Sequence, residues 1–203
     1  MGSDLQMMSF SATIPVGLKP FLRKYMHEPK TIQIERSEQF HPDIRHVLVP
    51  CKHMEYTEKL MEILPGINPY VCLIFANTRV VAAQAAEGMR AAGYGVVELH
   101  GDLNARERMK ALRELQSQKK SYVVATDIAA RGIDIEGITH VISLGFPKEL
   151  DFYIHRSGRT GRAGRDGVCY ALYRGEDDTM IRVLEQRGIR FEHANFRGGN
   201  WVQ

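Results

Sequence analysis

The stretch Tyr70-Val71-Cys72-Leu73-Ile74-Phe75-Ala76 is apolar throughout. Residues 80–92 follow with apolar side chains at helical spacing, and residues 95–99 form a second strand-like run. A strand without polar alternation is one covered on both faces, and a helix joining two such strands is the βαβ unit of a parallel sheet. Outward from this unit the pattern repeats. Further strands are expected at 45–49, 121–126, 140–144 and 167–173, with helices at 54–64, 107–116, 149–156 and 177–187. Gly93 and Gly188 stand where two of those helices should stop. The pattern predicts an α/β, doubly wound fold: a mostly parallel sheet with helices on both faces.

With 203 residues, 44% hydrophobic and 25% charged, the chain suits one domain with a sizeable core and extra segments at its ends. No run approaches the roughly 18 apolar residues that span a bilayer, and no signal-peptide pattern opens the chain. Neither membrane nor secretion is indicated, and the cytoplasm is the expected location. Cys51, Cys72 and Cys169 lie far apart, so neither a zinc site nor a disulfide framework is expected, and no residue is assigned to a metal. The formal charge of +3 permits a polyanionic partner without requiring one.

The densest chemical signal is His155-Arg156-Ser157-Gly158-Arg159-Thr160-Gly161-Arg162-Ala163-Gly164-Arg165. Guanidinium groups match phosphate oxygens bidentately, and glycines let the backbone approach a bulky ligand. By composition alone a solvated basic loop explains the segment equally well. Other polar clusters follow strand ends, where ligands of parallel sheets bind. They are Asn77-Thr78-Arg79, His100-Gly101-Asp102 with Arg108 further on, and the run Thr126-Asp127 to Asp134. Taken locally, Thr126-Asp127 reads as a helix cap, Phe75 as ordinary core, and Arg108 as a surface salt-bridge residue.

Spacing separates these readings. Residues 155–162 fit His-Arg-x-Gly-Arg-x-Gly-Arg without a gap, and this segment resembles motif VI of the DEAD-box RNA helicases. The resemblance implies a RecA-like fold in which Arg159 and Arg162 reach across a cleft to the γ-phosphate of ATP as arginine fingers, with His155 coupling the nucleotide and RNA sites. Residues 125–134 resemble motif V, which places Thr126 and Gly132 near the RNA backbone, Asp134 on the ATP ribose and Arg131 at the interdomain cleft. The strand end at Phe75 is similar to motif IV. There the aromatic ring supports the nucleotide-binding arginines, and Asn77, Thr78 and Arg79 lie near RNA. Gly101, Asp102 and Arg108 match a further RNA-facing element, although Ala105 stands where that pattern carries glutamine. Ser11-Ala12-Thr13 is similar to motif III, which puts Ser11 and Thr13 at the interface with a first domain.

By the same resemblance, residues 4–36 are the end of an N-terminal helicase domain, 37–43 a linker, 44–190 the C-terminal RecA-like domain and 191–203 an extension, with 1–3 read as an expression remnant. Strands are expected near residues 6–10 and 31–34, with a helix over 15–26. An apolar strand at 6–10 without neighbours could drive association through an open edge. The sequence contains neither Gly-x-x-x-x-Gly-Lys-Ser/Thr nor Asp-Glu-Ala-Asp. ATP and Mg²⁺ would therefore be held mainly by the N-terminal RecA-like domain, and the chain alone is expected to be inactive as an ATPase. The implied partners are RNA and that first domain, with other RNA-processing proteins possible. The competing reading is a non-catalytic RNA- or protein-binding module, and a third keeps the enzyme class but makes the substrate DNA.

Overall fold

The computed structural model describes residues 7–9, 18–26, 28–32, 43–117, 121–130, 135–162, 164–197 and 200–202. The chain divides into two compact units, 1–37 and 38–203. In the first, α1 (Leu18–Tyr25) carries Phe21 and Tyr25 one turn apart, their ring centroids 4.6 Å from each other. The strands expected at 6–10 and 31–34 do not form over residues 7–9 or 31–32. A strand is stabilised by a neighbouring ladder, and no strand occurs in this unit among the described residues.

The second unit is a seven-stranded sheet. Its strands are β1 (Ile44–Pro50), β2 (Val71–Ala76), β3 (Val96–Leu99), β4 (Tyr122–Thr126), β5 (Ile138–Leu144), β6 (Gly167–Tyr173) and β7 (Phe191–His193). They lie in the order β3-β4-β2-β5-β6-β1-β7, and every pairing is parallel. The intervening helices are α2 (Tyr56–Ile63), α3 (Arg79–Ala91), α4 (Ala105–Gln116), α5 (Asp127–Ala130), α6 (Leu150–Ser157) and α7 (Asp178–Gln186). Alternation along β2 shows why both faces are covered. Cys72 and Ile74 enter one buried layer with Leu60, Ala82 and Met89 from α2 and α3; Leu73 and Phe75 enter the other with Leu115, Tyr153 and Leu184 from α4, α6 and α7.

The expected elements are present with shifted ends, and capping explains one shift. Helix α4 starts before residue 107 because the Asn104 side chain accepts from Glu107 N at 3.0 Å while the Glu107 carboxylate accepts from Asn104 N at 2.9 Å. A larger correction concerns residue 191 onward, expected to lie outside the domain. Phe191, Glu192 and His193 instead pair with His46, Val47 and Leu48 as the sheet's edge strand. The Phe191 ring packs 6.0 Å from Tyr153, and Arg45 pairs with Glu192 at 2.7 Å. Beyond it β8 (Asn195–Arg197) and β9 (Asn200–Val202) form an antiparallel pair. The three cysteines are buried free thiols, and burial pushes Cys51 and Cys169 up to about 12.

Parallel pairing sets the strand ends side by side. Ala76 pairs with both Thr126 and Leu144, and Leu99 pairs with Ala125. The turns after β2, β3 and β4, which carry candidate residues 77–79, 100–102 and 126, therefore leave the same edge of the sheet.

Candidate functional site

Helix α6 and the turn after it present two stripes, offset by one residue. The inward stripe is Tyr153, Arg156, Ser157 and Thr160, all buried. Tyr153 stacks on Phe146 at 5.1 Å, and its hydroxyl lies 2.9 Å from His46 Nδ1. Burial drives the His46 pKa down to about 4, so the ring is neutral in this contact at physiological pH. Thr160 donates to Ile138 O at 2.7 Å. Gly161 then takes φ +66°, and a Cβ there would come within 2.5 Å of the Ile44 side chain. Only glycine combines that backbone with so close an approach.

Arg156 is the unusual member, with its side chain 1% exposed. Its Nε and Nη2 donate to the two carboxylate oxygens of Asp127 at 2.7 and 2.6 Å. Nη2 also donates to Asn77 Oδ1 at 2.7 Å, and Nη1 donates to Ser143 Oγ at 2.5 Å and Gly145 O at 3.2 Å. All five N–H donors of the guanidinium are thus engaged, and its carbon sits 5.4 Å from the centroid of Phe75. The groups it holds belong to the ends of β2, β4 and β5.

The outward stripe is Phe152, His155, Arg159 and Arg162. His155 and Arg162 are exposed and Arg159 is half-buried. The Arg162 Nε donates to Gly158 O at 3.0 Å, which holds the side chain back along its own turn. Arg159 lines a cavity of about 40 Å³ with Phe75, Asp127, Ala130, Phe152, His155 and Arg156. These cations can hold phosphoryl oxygens, but a guanidinium serves as neither base nor nucleophile.

Along the neighbouring edge, Thr78 caps α3 by accepting from Val81 N at 3.2 Å, and Arg79 pairs with Asp102 on the surface. Asp102 lies 3.9 Å from His100 Nδ1, Gly101 is exposed, and Thr126 is half-buried at the end of β4. Arg108 Nη2 donates to Ala129 O, tying α4 to α5. Asn77, itself exposed, uses both ends of its amide within the domain, accepting from Arg156 and donating to Phe146 O at 2.9 Å. Arg131, Gly132, Asp134, Ser11 and Thr13 lie outside the described residues.

The family described as "Helicase conserved C-terminal domain" matches residues 55–164, which include Arg156, Asp127 and the outward stripe. The chain belongs to this family. The helicase C-terminal domain is 43% identical to the DEAD-box ATP-dependent RNA helicase CshB of Bacillus subtilis over 99% of its length, and 43% identical to CshB of Bacillus cereus over its whole length. It spans about half of these relatives, 46% and 47% of their chains. Among solved structures it resembles the C-terminal domain of the DEAD-box protein Dbp5, with TM-score 0.69, 26% identity, and coverage of 75% of this chain and 91% of that one. It also resembles a variant of S. cerevisiae Dbp5 bound to RNA and ADP BeF3, with TM-score 0.76, 25% identity, and coverage of 96% and 52%.

Within this helicase domain the structure brings His155, Arg159 and Phe75 around one cavity, and Arg79 and Asp102 into one ion pair. Sequence reasoning missed Arg156 and Asp127 as its organising pair. The signal was available: Arg156 falls three residues after Tyr153, on the stripe of α6 that must face the sheet.

Proposed function

We propose that the helicase C-terminal domain is one half of an ATP-dependent RNA helicase and supplies Arg159 and Arg162 to a triphosphate presented by another RecA-like domain. The observation that carries this reading is the anchoring of their turn. Arg156, Thr160 and Gly161 fix it to the sheet from below, so two cations stand on the outward side of α6 and its turn with little left to reorganise. Such cations stabilise charge that develops on transferring phosphoryl oxygens.

The donor set suits the anion and not its metal. Among the described residues no group of three His, Cys, Asp or Glu could hold a metal ion, so Mg²⁺ and the attacking water belong to the partner domain in this reading. Asp134 would take the ribose and Arg131 the cleft. Arg79, Asp102, Gly101, Thr78, Thr126, Gly132 and Arg108 would form the edge that meets RNA, chiefly through phosphate and sugar, independently of sequence and weakened by salt. The names of its relatives, ATP-dependent RNA helicases, support RNA and ATP as the substrates. No helix among the described residues is long and apolar enough to cross a membrane, and work in the cytoplasm is part of the proposal.

The test is reconstitution. The chain alone should show no ATP turnover above background, and adding a separately made first RecA-like domain should restore RNA-stimulated hydrolysis. Robust RNA-stimulated hydrolysis by the pure chain would refute the proposal. A mixture that binds RNA yet never hydrolyses ATP would favour the non-catalytic module.

A further inference from the structure

Phe191, the first residue of the edge strand β7, closes an aromatic box against the helix that carries the arginine turn. Its ring lies 5.9 Å from His46, 6.4 Å from Phe146 and 6.0 Å from Tyr153, meeting each at 60° or more. Those three are already joined, since Tyr153 stacks on Phe146 and its hydroxyl lies 2.9 Å from His46 Nδ1. Rings that meet edge to face prefer a definite angle as well as a distance, so the box sets an orientation for Tyr153.

Tyr153 passes that orientation on. It stands one helical turn before Arg156 on α6, and the turn beyond continues the helix through Gly158 N donating to Ile154 O at 2.9 Å and Arg159 N donating to Arg156 O at 3.1 Å. A shift of Tyr153 therefore reaches Arg159. The strand that carries Phe191 has little else to hold it. Residues 191–193 pair with β1 alone, the Arg45–Glu192 ion pair is exposed, and Ala194 N donates to Leu48 O at 2.9 Å as the chain enters the opposite buried layer. So short a ladder opens readily unless side-chain packing holds it, and here the ring in the box supplies the packing.

We infer that Phe191 is a positioning residue for the phosphate-facing turn. The edge strand, which lies beyond the residues 55–164 that match the family, sets the seat of α6 and through it the aim of Arg159. This rests on the proposed function and adds a support for its site from outside the arginine-rich segment.

The test compares two truncations of buried bulk. Phe191→Ala opens the box, whereas Ile63→Ala opens the other layer of the core, where Ile63 is fully buried on α2. Each variant is mixed with a separately made first RecA-like domain, under conditions where its urea curve shows it fully folded. In Phe191→Ala, RNA-stimulated turnover per folded molecule should fall about 10- to 100-fold, the scale of a misplacement near 1 Å. The KM for ATP and the RNA affinity should stay within about twofold, because Phe191 is none of the residues assigned to either ligand. Ile63→Ala should lose comparable stability and keep its turnover. Where either variant does not fold, Phe191→Leu and Ile63→Val make the same comparison at smaller size. Unchanged turnover in the Phe191 variant, or an equal fall in the Ile63 variant, overturns the inference and leaves the proposed function standing. An unsubstituted mixture without RNA-stimulated hydrolysis removes the proposed function, and with it the turn that Phe191 would position.

Discussion

Arg156 and Arg159 stand three residues apart and have opposite fates. Arg156 is enclosed, with every donor directed at Asp127, Asn77, Ser143 and Gly145. Arg159 is half-buried at the rim of a small cavity, and Arg162 is exposed beyond it. The difference teaches that one arginine-rich segment holds two kinds of cation. One is built into the platform and the others lie on its outer side, and the helical repeat sorts them: positions 153, 156, 157 and 160 turn in, while 152, 155, 159 and 162 turn out.

Substitutions can break that contrast at either end. Arg162→Ala, in the chain paired with a first domain, should lower RNA-stimulated turnover about a thousandfold while the urea midpoint hardly moves, as the arginine-finger role proposed for it requires. Arg156→Ala should do the reverse first: with Asp127 left uncompensated, it should destabilise the fold by about 3–5 kcal/mol in urea unfolding. Equal loss of stability in the two variants would erase the distinction between the stripes.

Acid sharpens the same contrast, because a titratable group lies under the inward stripe. The folded pKa of His46 is lowered to about 4 by burial, against 6.5 for the unfolded chain. Its contribution to stability is complete above pH 6.5 and is lost as the pH falls towards 4, reaching about 3 kcal/mol. His46→Gln keeps a polar partner for Tyr153 and should flatten the pH dependence of the urea midpoint over this window. An unchanged slope would mean that His46 is not the group lost in acid. The smallest effect is expected at the edge, where Arg45 and Glu192 pair at 62% and 52% side-chain exposure. Arg45→Ala should change stability by less than about 1 kcal/mol, as solvent-screened pairs do.

Much of this contrast could be anticipated and part could not. The outward arginines were legible because their spacing with glycine is a local property of residues 155–162. The parallel sheet was legible because strands buried on both faces leave uninterrupted apolar runs such as residues 70–76. The edge strand at 191–193 was hidden. Three residues carry no periodicity, and Phe191, Glu192 and His193 form a strand only because β1 offers them an open ladder.

By itself, then, the sequence determined the α/β order, the strand ends where polar turns gather, and the arginine-rich spacing of residues 155–162. The tertiary structure decided which arginine is enclosed, that Asn77 turns towards Arg156 and Phe146, and that Arg108 bonds the Ala129 carbonyl. Hydrophobic periodicity and spacing are written along the chain. The partner of a polar side chain depends on which strand ends the parallel register brings together, and residues 77, 127, 143 and 156 become neighbours only in three dimensions.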